Sequence, residues 1–566
     1  MGIIEMQNCK KYVKGILFAV LMMIVGSCTK GFEEMNKDPN LPVDVPAIHI
    51  FTHALVNHVE YESGGWMQHS CLGLWAQQWC KVRYIDEDRY MPRNLDHYFH
   101  SRYTNALQDL TIVIDKASAP QNRNDGLLAA AKIWRVLIFH YLTDLWGDVP
   151  YTEANQGLQP GGTIAPVYDT QESIYKALIA ELEEANDLLT SSVLNFGNGD
   201  LLFGGDPMAW KKFGNSLQLR ILNRVAGTPW SFTYDMAGGS QVTTNAGAAA
   251  WGEADAKMGN ILANPSNYPV FTSNDDNVQL SYPGLPYRNP IFNALFLRTD
   301  QGISQTMVDF LNDRDDPRVH IYAQPIPKSL IAGGEPVYNG HQNGLAHGAA
   351  EFHNISLLGT AIGYNENAPL YVLCLDEVEF IQAEFYMRKG DENKAKQHYE
   401  AGIKASMDRW GCFDGSTVSP STKKDGVLPF TYAVDHAAYL THPLVSWGGN
   451  TGEKFRKILE QKWAAMFGQG AQAWTEVRRT GFPARIFEYE LEGTYYPDLG
   501  MPVRLTYSTA EAILNKANLK AAKERQHVQD INEGLFSPDG TKSQVWWNTR
   551  KNPVPTETDP PSADMQ

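Results

Sequence analysis

Apolar positions recur at spacings of three and four along most of the chain, the period of an amphipathic helix. Over residues 124–146, Leu127, Ala131, Trp134, Ile138, Tyr141 and Leu145 fall on one stripe, which stops at Gly147 before the turn-forming GDVPY. Residues 170–190 repeat the pattern with Ile174, Leu178, Leu182, Ala185 and Leu189. Asp206-Pro207 opens a further helix running to about 225, because proline suits the first helical position. The clearest unit is 371–410. Cys374, Val378, Ile381 and Phe385 form one stripe, Gly390 breaks it, and Asp391 is a natural N-cap. Ala395, Tyr399, Ile403, Met407 and Trp410 then form a second stripe. Two helices joined this tightly pack antiparallel, and the small Ala383 and Ala395 allow a close approach. More helices are predicted over 47–60, near 302–312, over 452–480 as a long helix and a second one, and over 508–525. No regular period of about 34 residues runs through the chain, so the hairpins are a degenerate array of tetratricopeptide type.

Between these helices lie stretches without a clean stripe. Residues 64–103 are the most aromatic window, with Trp66, Trp75, Trp79, Tyr84, Tyr90, Tyr98 and Tyr103, and with Arg83, Arg89, Arg93 and Arg102 interleaved. Within it 80–94 reads as a loop between two helices, and loops on a rigid scaffold are where binding residues tend to lie. Residues 227–250 read as a surface excursion rich in Gly, Thr, Ala and Ser. Residues 264–291 are loop-like and carry Tyr268, Tyr282, Tyr287 and Arg288, and 320–370 are irregular. DRDDPR at 313–318 reads as a capped turn with an internal ion pair.

The apolar run 15–25 differs from all of these. It is too short to span a bilayer core of roughly 30 Å, and Lys10, Lys11 and Lys14 precede it. The small residues and cysteine of V-G-S-C at 25–28 complete the order of a lipoprotein signal peptide, with Cys28 as the lipidated first residue of the mature chain. Residues 1–27 are thus the signal, 28–46 a polar, proline-bearing tether, 47–550 one helical domain, and 551–566 a flexible tail. No later apolar run approaches 18 residues, so no further membrane span is expected. Removing the three lysines and one glutamate of the signal leaves 45 basic against 63 acidic residues, a net charge of −18. That balance excludes nucleic acid as a partner and excludes lying flat on anionic lipid. Cys71, Cys80, Cys374 and Cys412 form no CxxC pair and read as buried free thiols. Aromatic residues make up 11%, which suits an exported protein whose flat rings stack on sugar faces or peptides.

Catalytic motifs are missing from the sequence. It holds no HExxH, no G-x-S-x-G, no Walker A and no GxGxxG in strand–helix context. Ser173 and Lys176 make an SxxK match inside an amphipathic helix without companion motifs. His49 and His53 stand four apart with no third ligand, and His320, His341, His347 and His353 show no metal-ligand spacing. Asp376, Glu377 and Glu379 read as a solvated helix face. No cofactor and no metal are expected, and the balance moves from enzyme to binder.

Taken in order, several stretches resemble the SusD/RagB outer-membrane lipoproteins, in particular their second, SusD-like subgroup. The carriers are FEEMNKDPN (32–40), HYLTDLWGDVPYTEA (140–154), WKKFGNSLQLRILNR (210–224), DDPR (315–318), LDEVEFIQAEFYMRKG (375–390) and YEAGIKASMDRWG (399–411). They continue with ILEQKWAAMFGQGAQAWTEVRRTGFP (458–483), PVRLTYSTAEAILNKAN (502–518) and VWWN (545–548). The resemblance implies a mostly α fold in which four tetratricopeptide-like helical hairpins form a scaffold, with long loops and shorter helices packed on it. It implies a surface lipoprotein of Bacteroidota, held in the membrane only by its lipid. Such a protein captures oligosaccharide, or peptide, and serves as the lid of a SusC-like TonB-dependent transporter. A surface glycan-degrading enzyme with an unusual helical fold, and a purely structural surface protein, stand as alternatives. For ligand contact the expected residues are exposed rings and hydrogen-bonding arms: Trp75, Trp79, Arg83, Tyr84 and Tyr90 in one loop, and Tyr282, Tyr287 and Arg288 in a second. The resemblance raises the expectation for the first loop, since that region contributes to glycan binding in SusD-like proteins.

Overall fold

The computed structural model describes residues 44–91, 95–157, 159–228, 230, 232–235, 241–244, 247–331, 334–346, 348, 352–484, 493, 501–526, 528 and 545–548. Cys28, most of the tether, Arg93, His347 and the tail 551–566 lie outside the described residues. Twelve helices organise the rest: α1 (Ala47–Val59), α2 (Gln108–Ser118), α3 (Asp125–Trp146), α4 (Gln171–Leu188), α5 (Pro207–Val225), α6 (Ala254–Ala263), α7 (Gln305–Asn312), α8 (Leu375–Arg388), α9 (Glu392–Arg409), α10 (Thr451–Ala465), α11 (Gly470–Thr480) and α12 (Lys516–Arg525). Short helices and two-stranded ladders join them.

The capping residues do what their chemistry predicts. Asn124, Thr170, Asp206 and Asp391 each accept a bond from a first-turn amide of α3, α4, α5 and α9. Gly390 closes α8 with a left-handed φ of +74° that a side chain would strain. By length and composition α3 could cross a membrane, but 89% of its most apolar window is buried inside the protein, so it is a core helix. Four helix pairs follow in chain order: α1 with α2, α3 with α4, α5 with α6, and α8 with α9. This is the tetratricopeptide-like scaffold that the stripes and the resemblance predict. Ala383, Ala395 and Gly402 line the α8–α9 contact, and a Cβ on Gly402 would stand 3.0 Å from the Phe380 ring. α10 packs on α8, and α11 follows it. The 452–480 region is therefore the predicted long helix and second helix.

Several expectations change. Residues 227–250 include an antiparallel hairpin, Phe232–Asp235 with Gln241–Thr244. The predicted helix over 508–525 is two, Glu511–Leu514 and α12. Asp376 and Glu377 are not a solvated face: each is 1% exposed. Arg409 bonds Asp376 at 2.6 Å, and Arg220 bonds Glu377 at 2.5 Å. Glu379 is half-buried and bonds His398 at 2.6 Å. DRDDPR does form a turn with an internal ion pair, Asp316 to Arg318 at 2.6 Å, both fully buried. All four cysteines after Cys28 are buried, and no disulfide joins any two of them.

The carboxylates belong to a larger buried network. Glu384 of α8 takes Lys462 of α10 at 2.9 Å and Arg479 of α11 at 2.7 Å. Glu476 of α11 takes Arg479 at 2.6 Å and Lys462 at 3.1 Å, and it also pairs with Arg224 of α5. Burial alone would raise both acids, but these cations outweigh it and hold them below the usual carboxylate range. Asp144 of α3 approaches Arg224 at 3.4 Å and so ties α3 in. The stretches that carry the family resemblance meet in the interior through their charged residues.

Candidate functional site

Two long insertions leave the helical scaffold. Residues 60–107 interrupt the α1–α2 pair, and residues 264–374 separate α6 from α8. A two-stranded antiparallel ladder, β1 (Trp79–Lys81) with β2 (Gln301–Ile303), zips them together, pairing Trp79 with Ile303, Cys80 with Gly302 and Lys81 with Gln301. Glycine is required at 302, because a Cβ there would lie 2.9 Å from the Ser356 carbonyl oxygen and 3.0 Å from Val82. The ladder joins the base of the first predicted loop to the segment that follows the second.

Tyr84, just beyond β1, is 74% exposed and sits at a left-handed φ of +55°. Arg298, just before β2, stands under it with its guanidinium 5.9 Å from the ring centroid. The guanidinium is fixed by two bonds of 2.7 Å to buried Asp300, which Lys81 also approaches at 3.4 Å. Burial pulls the Asp300 carboxyl upward, but Arg298 and Lys81 hold it below its ordinary value. Tyr364 donates to the Arg298 carbonyl at 3.2 Å and carries Lys423 over its ring at 4.8 Å. On the other side, Tyr287 is 72% exposed. Arg288 pairs with Glu366 at 2.6 Å and covers Phe292 at 5.4 Å. Phe292 stacks on Phe296 at 5.1 Å and 13°. The helix Pro290–Leu295, about 9 Å long, thus links the Tyr287 end of the face to Leu297, Arg298 and the Tyr84 end.

Four expected contact residues are corrected: Trp75, Trp79, Tyr90 and Tyr282 are buried. Trp79 lies in β1 with its ring 6.3 Å from Phe467 and no exposed surface. Trp75 packs edge-on against Trp474 at 5.3 Å and Tyr90 at 6.0 Å. Tyr282 turns inward and its hydroxyl donates to Glu60 at 3.3 Å. These rings stiffen the base of the face and present no platform. Arg83 is exposed beside Tyr84. Sequence reasoning missed Leu297, Arg298, Tyr364 and Lys423. Arg298 had a local signal, since Arg-Thr-Asp at 298–300 sets a cation two residues from a carboxylate. Tyr364 and Lys423 had none, because only the tertiary fold brings them here.

The Tyr84 loop has an inner anchor. Buried Asp88 accepts the Lys81 amide at 2.9 Å and the Asn343 side-chain amide. Asn343 also donates to the Trp79 carbonyl at 2.9 Å and accepts the Ser304 hydroxyl at 2.7 Å. Burial pushes the Asp88 carboxyl up to about 7, outweighing the pull of the two bonds it accepts and of the Lys81 charge. Flat exposed rings, one guanidinium and one ammonium on a fixed base can stack on an apolar ring face and bond hydroxyls around it. Among the described residues no group of three or more His, Cys, Asp or Glu could hold a metal ion.

Residues 74–548 match the family model of SusD-like proteins, the SusD and RagB outer-membrane lipoproteins. The chain belongs to the SusD-like family. Solved structures agree with that membership at the level of fold. A chitin-binding protein superposes on this SusD-like chain with a TM-score of 0.68 at 23% identity, covering 89% of this chain and 100% of that one. A SusD homologue from Bacteroides fragilis gives 0.69 at 21% identity with the same coverage. A chitin-binding SusD homologue from Flavobacterium johnsoniae gives 0.66 at 19%, covering 89% and 99%. No protein of curated function matches the chain in sequence.

Proposed function

We propose that this SusD-like protein is a nutrient-binding lipoprotein of the cell surface, anchored through Cys28. It captures an oligosaccharide on the Tyr84–Tyr287 face and delivers it to a SusC-like TonB-dependent transporter, for which it acts as lid. One observation carries the binding part: Tyr84 and Tyr287, on the two insertions that the β1–β2 ladder joins, are both largely exposed, and Tyr84 lies over the fixed Arg298 guanidinium. Family membership supports the outer-membrane part. The protein holds its ligand without turning it over. About 18 residues of tether give a typical reach of about 20–25 Å, enough for a lid to move while attached.

Binding of purified residues 28–566 to glycan and peptide panels tests the reading. Chito-oligosaccharides head the panel because two similar structures are of chitin-binding proteins. Saturable binding without product release is expected, and Tyr84→Ala and Tyr287→Ala each weaken it about tenfold, or ~1.4 kcal/mol. Undiminished affinity in both variants rejects the face. A pull-down from outer membranes that brings no TonB-dependent barrel rejects the lid role.

A further inference from the structure

A second cleft opens at the far end of α7, sharing no residue with the face just described. Its volume is about 670 Å³, within the range of about 300–1,000 Å³ that small-ligand sites occupy. One wall is aromatic. Tyr432 stacks flat on His320, with ring centroids 3.8 Å apart and planes 14° apart. The Tyr338 hydroxyl meets His320 Nδ1 at 2.8 Å. The rim is acidic: Asp315, Glu335 and Asp435 all border the cleft and all are exposed.

The positive charges at the wall are committed or absent. Arg314 donates to Glu460 at 2.9 Å. His442 Nε2 stands 4.0 Å from Asp315, which leaves that carboxylate room for a closer cation. Burial pushes His320 down to about 4, so its ring is neutral at physiological pH and repels no cation. Glu335 has no ion-pair partner among the described residues, and it lies close enough to Tyr432 to raise that phenol further after burial. An anion entering the cleft would face three carboxylates. A cation would meet those carboxylates at the rim and the phenol rings of Tyr338 and Tyr432 in the wall, the two attractions that select ammonium groups.

We propose that this cleft is a second binding site, for a ligand that presents a primary ammonium group. Two sources share that chemistry, the lysine side chain of a peptide and the free amine of an amino sugar. Such a site gives the protein a contact for cationic nutrient that is independent of the Tyr84–Tyr287 face.

Calorimetric titration of residues 28–566 with trilysine and with a glucosamine trimer, at low salt, tests the proposal and separates the two sources. In protein carrying Tyr84→Ala and Tyr287→Ala, which removes the first face, saturable binding of at least one is expected, with the fully N-acetylated counterpart binding at least tenfold more weakly. Asp315→Asn combined with Glu335→Gln weakens it at least fivefold, and so does Tyr432→Ala. The two acidic positions are exposed, so the double variant keeps its melting temperature. Hydrogen exchange on addition of the probe slows at 432–443 and is unchanged at 82–90. The proposal is overturned if neither ammonium probe binds, if the acetylated forms bind equally well, or if the double variant binds like the parent. Tyr84→Ala leaves this binding unchanged, so loss of the first site and loss of this one are read separately.

Discussion

The ring of Trp79 lies against Phe467 with no exposed surface, while that of Tyr84, five residues on, is 74% exposed and rests over Arg298. The two aromatics therefore answer to different measurements. Trp79→Ala removes a fully buried ring from beneath the face and is expected to cost about 3–5 kcal/mol of stability, read from urea unfolding. Tyr84→Ala changes a surface position, so its unfolding midpoint stays within about 0.5 kcal/mol of the parent while ligand affinity falls. A stable Trp79→Ala protein would mean that the ring is not part of the core. Aromatic density in the sequence marks both residues alike, because it reports apolar area and not which side of a strand faces the core. Only the pairing of β1 with β2, a contact more than 200 residues apart in sequence, decides that Trp79 is inside.

Among the elements, α8 and α9 were legible because every local signal agreed: two stripes, a glycine break and an Asp cap joined by a short turn. The charged residues of the same helices were not. Asp376 and Glu377 look like solvent-facing positions until Arg409 and Arg220 arrive from elsewhere in the chain to neutralise them. Periodicity registers apolar burial, and paired charges are buried without leaving a stripe. The docking of the first insertion on the scaffold was equally hidden. It turns on Gly470 at the start of α11, where a Cβ would lie 2.4 Å from the amide nitrogen of Gly73 and 2.6 Å from its Cα. Those are backbone atoms and cannot rotate away. In an ordinary helix Gly→Ala gains up to ~1 kcal/mol. Here Gly470→Ala is expected to lose about 1–3 kcal/mol through overpacking, measured by urea unfolding. A neutral or stabilised variant would show that the two backbones are not in contact.

At the scale of the whole molecule, burial of titratable groups fixes the pH dependence of folding. Burial pushes His69, His140 and His320 each down to about 4. In the unfolded chain each takes a proton near 6.5, so between these values unfolding takes up about three protons, and stability falls as pH falls. Asp88 works in the opposite direction. Its folded carboxyl keeps its proton up to about 7, whereas the unfolded one loses it near 4, so its contribution is present in acid and is lost as pH rises through 7. The three histidines outweigh Asp88. Near pH 5 these four groups together take up about two protons on unfolding, and their share of stability is expected to drop by roughly 2–3 kcal/mol per pH unit on acidification. Urea midpoints between pH 5 and 7 measure this, and a flat profile would refute it. His140→Gln should flatten the slope by about one proton even though it lowers stability overall. Asp88→Asn should steepen it, because an opposing group is gone. Ionisation of Asp88 above pH 7 is expected to loosen the Tyr84 loop that it anchors, read as faster amide exchange at 82–90 after correction for intrinsic rate, and Asp88→Asn should remove that change. Asp88 alone acts on both readouts, which ties the acid limb of folding to the loop that carries the exposed ring.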